Sequence, residues 1–214
     1  MMTRKEFLLK IEKIIAIVEN IGGSIEWYEV NGEATNTQVS QLISAYEYTL
    51  PEDFIQYIKQ ISSIDFMWTC DSNINNELSF IKNKTDGIFS GHIAWSIDTL
   101  LKDEFIKSFQ ECRKKESDVS NYYTNIKNKV LILTVPNGDV HTIDVSNKNV
   151  IYLSHDGEFD TVFLGETFDK YITNYMKTLF IGSEMWQMQY FISKGIGIDP
   201  NSKNFLEFKQ ILNI

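Results

Sequence analysis

The chain opens with apolar residues at helical spacing. Phe7, Leu8, Ile11, Ile14, Ile15 and Val18 recur every three or four positions, the repeat of one helix face. Thr3 and Glu6 fit a capping box ahead of them, in which each side chain satisfies a backbone N–H at the helix start. Gly22 and Gly23 stop this helix. "SIEWYEV" (24–30) then predicts a short strand, with Ile25, Trp27 and Glu29 on one side. The polar stretch "NGEATNT" (31–37) reads as a connector. A second helix is predicted from about Gln38 to Tyr46, with Val39, Leu42, Ile43 and Tyr46 on one side. "TLPEDFIQYIKQI" predicts a third. Pro51 suits its first position, where a missing N–H costs nothing. Glu52 and Asp53 complement the helix dipole, and Phe54, Ile55, Ile58 and Ile61 face inward.

The pattern then changes period. "SIDFMWTC" (63–70), "ELSFI" (77–81) and "GHIAWSI" (91–97) read as strands separated by Asn, Asp and Gly clusters. Ser96 or Asp98 is placed to cap a helix from about Thr99 to Arg113, and "RKKESDVSN" (113–121) reads as a solvated charge run. "KVLILTV" (129–135) has the continuous apolar character of a strand covered on both faces. "PNG" (136–138) reads as a hairpin turn, and "DVHTIDV" (139–145) and "NVIYLS" (149–154) as two more strands. Phe168, Tyr171, Ile172, Tyr175, Met176, Leu179 and Phe180 form the most regular helical stripe, ended by Gly182. Helical pieces near Glu184–Ile192 and Asn204–Leu212 close the sequence. Helices, then a meander of strands, then helices predict an α+β fold, mainly an antiparallel sheet with helices packed against it. Regular crossover helices between strands, which a doubly wound parallel sheet requires, are not predicted.

Composition narrows the function. The 214 residues are 43% hydrophobic and 23% charged, with a formal net charge of -9. Such a chain can bury a core, and its acidity argues against nucleic-acid binding. Its two cysteines, Cys70 and Cys112, supply neither a disulfide framework nor a zinc motif. Charges at Lys10, Glu12, Lys13 and Glu19 interrupt any signal-peptide core. A cytoplasmic protein without a membrane span is expected. His92, His141 and His155 lie on separate segments without metal-ligand spacing, and neither a phosphate loop nor a GxSxG elbow is present. No catalytic, metal or cofactor-binding residue is therefore assigned. Trp27, Trp68, Trp95 and Trp186 each sit in apolar or alternating segments, so core or half-buried packing is expected of them.

One acidic segment remains, "LSHDGEFDTVFLG" (153–165). Asp156-Gly157 is a turn signal. If a strand resumes at Glu158, then Glu158, Asp160 and Val162 share a solvated face while Phe159, Thr161 and Phe163 pack inward. The leading reading is a turn with a solvated acidic face. An acidic docking surface is the second, and a catalytic site using His155 with Asp156 or Glu158 the third.

Three segments together resemble the SUKH superfamily, bacterial toxin-immunity domains related to a yeast cell-wall synthesis regulator. The helix entry "LPEDF" (50–54) resembles theirs, and "GHIAWSIDTL" (91–100) is similar to their tryptophan strand. The run from "VLILTVPNG" through "LGETFDKYITNYM" looks like their sheet finish and closing helix. The resemblance implies an α+β domain that binds rather than catalyses, with a cognate toxin domain as its partner. On that basis residues 1–36 are expected to form an N-terminal helix-and-strand extension, 37–192 the SUKH-like domain, and 193–214 a C-terminal helical extension. Asp139, Asp156, Glu158 and Asp160 are the expected partner-binding acids, chosen by charge and expected exposure. No nucleic acid, membrane or cofactor is expected. A regulatory adaptor binding cellular proteins is the alternative.

Overall fold

The computed structural model describes residues 1–46, 49–70, 89–101, 129–135, 137–154 and 161–214. Helix α1 spans Arg4–Asn20, and its capping box forms as the sequence predicts: Thr3 and Glu6 each accept from the other's backbone N–H. Strand β1 follows (Ser24–Val30), then α2 (Asn36–Ala45, capped by Thr35) and α3 (Glu52–Gln60). Pro51 stands at the cap of α3, one place before its expected position. Strands β2 (Ser63–Cys70) and β3 (Phe89–Ser96) come next, and α4 starts at Ile97 and is described to Leu101. The remainder of the helix expected to Arg113, the strand expected at 77–81 and the charge run at 113–121 lie outside the described residues.

Strands β4 (Lys129–Thr134), β5 (Val140–Asp144), β6 (Val150–Leu153) and β7 (Val162–Gly165) form an antiparallel meander. Helix α5 (Phe168–Lys177), the short α6 (Met185–Met188), and α7 (Lys203–Leu212) complete the helices, with a two-residue hairpin, β8 (Ile192–Ser193) and β9 (Gly197–Ile198), before α7. The architecture is α+β with antiparallel sheets. The single expected sheet is divided: β1-β2-β3 form one and β4-β5-β6-β7 another.

One hydrophobic core joins both sheets and both ends of the chain. It includes Phe7, Ile11, Ile14 and Val18 of α1, Phe54 and Ile58 of α3, the α5 stripe, and Phe205, Phe208 and Leu212 of α7. Strand β2 shows strict alternation, with Ile64, Phe66, Trp68 and Cys70 buried, because that face of its sheet packs into the main core. The second sheet is covered on both faces: Val140, Ile151 and Leu153 form a separate cluster away from the main core.

Two expectations change here. On β7 the faces are reversed. Leu164 is buried and Val162 packs against the main core, while Thr161 is exposed and Phe163 half-buried. A bulge in the β6–β7 register between Val150 and Ile151 interrupts simple alternation. Helix α5 also stops at Lys177 rather than running to Gly182. Leu179 and Phe180 adopt left-handed φ values of 59° and 56°, each a cost of roughly 1–2 kcal/mol for an L-residue. Docking on β3 offsets that cost: the Phe180 carbonyl accepts from His92 N at 3.0 Å, and Gly182 N donates to Ser90 O at 2.9 Å.

Gly91 makes this docking possible. The Trp68 indole Nε1 donates to the Leu179 carbonyl at 2.7 Å, crossing β3 over Gly91, its register partner. A Cβ on Gly91 would lie 2.2 Å from that Nε1 and 2.8 Å from the Leu179 oxygen. Gly91→Ala is expected to cost about 2–4 kcal/mol from the clash and the lost buried hydrogen bond. A urea denaturation midpoint measures it.

Candidate partner-docking face

The first sheet buries one face, while among the described residues the other is exposed at β1 and half-buried at β2 and β3, and register shows what that second face carries. Trp27 pairs with Met67, and Met67 with His92; Glu29 pairs with Asp65, and Asp65 with Ala94. Paired residues share a face, so an aromatic-apolar row lies beside an acidic one. Trp27 is 63% exposed. The expectation of core or half-buried packing holds for Trp68, Trp95 and Trp186 but not for Trp27, which stands on the edge strand of its sheet. Glu26 joins the acidic set: its carboxylate accepts from the Thr69 hydroxyl at 2.7 Å. Strands β1, β2 and β3 contain Glu26, Glu29 and Asp65 and no Lys or Arg.

His92 Nε2 lies 3.4 Å from the Asp65 carboxylate. Burial lowers the His92 pKa, and the Asp65 charge opposes that shift without reversing it, so this imidazole is neutral near pH 7. A groove of about 390 Å³ adjoins the acidic row, where Asn31, Ser63, Asp65 and Ser96 of this region face Leu131 and Thr134 of β4. The Asn31 amide holds its rim, donating to the Ser63 hydroxyl at 2.6 Å and to Glu29 at 3.4 Å.

Of the acids expected to bind a partner, Asp139 is described, and it is not on the surface. It is 3% exposed. The Tyr152 hydroxyl donates to its carboxylate, as does the Asn137 amide at 2.8 Å. Tyr152 in turn accepts from Met185 N at 3.2 Å, so Asp139 ties the β4–β5 hairpin to the start of α6. Burial and the neighbouring carboxylate push the Tyr152 pKa up, which keeps its hydroxyl a donor. A hairpin acid reads as solvated in sequence, whereas here a cross-strand tyrosine covers it. Asp156, Glu158, Asp160 and His155 lie outside the described residues.

His141 is fully buried. Its Nδ1 lies 2.8 Å from the Tyr171 hydroxyl and its Nε2 3.2 Å from the Ser183 carbonyl. A carbonyl only accepts, so Nε2 carries the hydrogen and Nδ1 accepts from Tyr171. This is a satisfied core histidine in an aromatic cage of Tyr152, Tyr171 and Tyr175. Among the described residues, no group of three His, Cys, Asp or Glu side chains could hold a metal ion, and no helix is long and apolar enough to cross a membrane.

The motif residues converge inside the protein, away from that second face. The Asp53 carboxylate of "LPEDF" accepts from Asp169 N at 2.9 Å, at the first turn of α5. Tyr57 donates to the Asp169 carboxylate at 2.8 Å. Phe54 and Phe168 meet edge-on with centroids 5.0 Å apart. Trp95 donates to the Ile61 carbonyl at 2.9 Å and packs on Phe168. These contacts clamp α3, β3 and α5 together. The second face was missed because its signal is a deficit, three strands without a basic residue, rather than a motif.

Residues 33–174 match a protein family described as SMI1 / KNR4 family (SUKH-1). No match is found among curated proteins.

Proposed function

This chain belongs to the SMI1 / KNR4 family (SUKH-1), and we propose that it is an immunity protein that binds and neutralises a cognate bacterial toxin domain. It acts by occlusion, without catalysis. The observation that carries this reading is the second face of β1-β2-β3, where Trp27 stands exposed among Glu26, Glu29 and Asp65 with no basic residue on the three strands. An exposed tryptophan is a typical anchor of a protein interface. The acids, on a chain of net charge -9, would steer a basic partner toward it. A toxin that cleaves nucleic acid needs a basic surface to bind phosphates, so a nuclease is the best electrostatic match.

The test is to mix the purified chain with the toxin domain encoded beside it and titrate by calorimetry. Nanomolar binding is expected, weakening at least about tenfold between roughly 50 and 300 mM salt as screening shortens the reach of the acids. Toxin activity should fall in proportion to the complex formed. Absence of binding overturns the reading. Binding to several cellular proteins but to no toxin would replace it with that of a regulatory adaptor.

A further inference from the structure

We propose that strand β1 is the docking edge, and that its occupant is a lysine- or arginine-bearing β-strand of the partner protein, added alongside β1 to extend the first sheet. The inference rests on the function proposed above only in taking the partner to be a toxin; the edge itself is argued from geometry.

Among the described strands, β1 is the terminal one of its sheet, hydrogen-bonded to β2 on one side. Among the described residues, no further backbone hydrogen bond engages Ser24–Val30 from the other side. Each face of the strand carries one exposed aromatic, while Ile25 and Val30 pack against the main core. Trp27 is 63% exposed on one and Tyr28 47% exposed on the other, with Glu26 and Glu29 exposed beside them. A ligand lying flat on one face would cover only one of the two aromatics. An added strand sends alternate side chains to opposite faces, so one occupant covers Trp27 and Tyr28 together. Its backbone would satisfy the edge, and its side chains would set the specificity.

Charge selects the occupant. Natural edges avoid unwanted pairing by carrying charges, and here the charges are glutamates only. A second copy of this chain paired through β1 would set Glu26 and Glu29 of one copy on the same ladder as Glu26 and Glu29 of the other. No Lys or Arg of β1, β2 or β3 would separate them. Like charges on adjacent strands are destabilising, and opposite charges stabilising. A basic strand fits this edge and a second copy does not.

The test uses the full chain and two synthetic octapeptides, one alternating Lys with Val and one alternating Glu with Val. Amide hydrogen exchange is followed by mass spectrometry. The Lys/Val peptide is expected to slow exchange in Ser24–Val30 at least about tenfold, and the Glu/Val peptide to leave it unchanged. The double variant Glu26→Lys, Glu29→Lys is expected to reverse that preference. Both residues are exposed, and a circular dichroism melt checks that the variant stays folded. If it does not, loss of the wild-type protection at high salt carries the same information. No protection of β1, or equal protection by the two peptides, overturns the proposal. If the neighbouring toxin is bound but the Lys/Val peptide neither protects β1 nor competes, the docking edge is wrong and the function stands. If the peptide protects β1 while no toxin binds, the edge stands and the function falls.

Discussion

Phe168→Ala is expected to destabilise the protein by about 3–5 kcal/mol, the usual cost of emptying a large aromatic site in a core. Phe168 is completely buried at the first position of α5. Its ring meets Phe54 at 5.0 Å, Tyr57 at 5.3 Å, and Trp95 and Tyr171 at 6.0 Å. Those rings come from α3, β3 and α5. Two of them are held by a further bond, Tyr57 to Asp169 and Trp95 to Ile61, so they cannot collapse freely into the space left behind. A site that collapses poorly lies at the upper end of the range. A domain of this size is stable by about 5–15 kcal/mol in total, so the loss is a large fraction of the whole. Phe168→Leu keeps most of the volume and should lose less than half as much. Urea denaturation followed by tryptophan emission measures both. A loss below about 1 kcal/mol for the alanine variant would show that the aromatic cluster does not hold the elements together.

The second large effect is a loss of stability in mild acid. His141 has no contact with solvent, and burial pulls its pKa down to about 4; the His92 charge pulls the same way, while the bond to Ser183 and the Asp139 charge oppose it. In the unfolded chain the same imidazole titrates near 6.5. Above about pH 6.5 both states are neutral and His141 contributes no pH dependence. Between about 6.5 and 4 the unfolded chain binds a proton that the folded chain does not, so acidification favours unfolding. The loss across that window is on the order of 3 kcal/mol. His92, lowered mainly by burial, adds to it with the same sign. Midpoints of urea denaturation measured from pH 7.5 to 4.5 should fall steadily. In His141→Gln, whose amide does not titrate, the slope should be shallower even if the variant starts less stable. An unchanged slope would mean that His141 is hydrated in the folded protein.

The sequence carried most of the architecture because its elements are locally consistent. The Thr3 and Glu6 box, the alternation of "SIDFMWTC" and the stripe on α5 each name a face without reference to the rest of the chain. What it could not carry is which face another element covers. Trp27 and Trp68 both lie in alternating strands. One is 63% exposed and the other fully buried, because Trp68 points into the main core and Trp27 to the opposite face of the sheet. Asp139 follows an Asn-Gly turn and reads as exposed, yet Tyr152, 13 residues further along, reaches it from the neighbouring strand. The end of α5 differs from the sequence expectation for a related reason. The apolar stripe continues through Leu179 and Phe180, but the chain leaves the helix in order to dock on β3. Bulges at Leu131/Leu133 and Val150/Ile151 break the period of two, which no alternation rule detects. The candidate face was hidden for the opposite reason, since a surface has no periodic signature of its own.

The clamp between α3 and α5 also sets a schedule for synthesis. Asp53 and Tyr57 wait for Asp169, and Trp68 waits for Leu179, more than a hundred residues further along. Contacts of such separation form only after a long loop has closed, which slows folding. While the ribosome is still making the middle of the chain, Phe54 and Trp68 lack the Phe168 and Leu179 partners that they have in the finished fold. Transiently exposed apolar surface of that kind is prone to aggregate, and an early stop before α5 would leave it permanently uncovered.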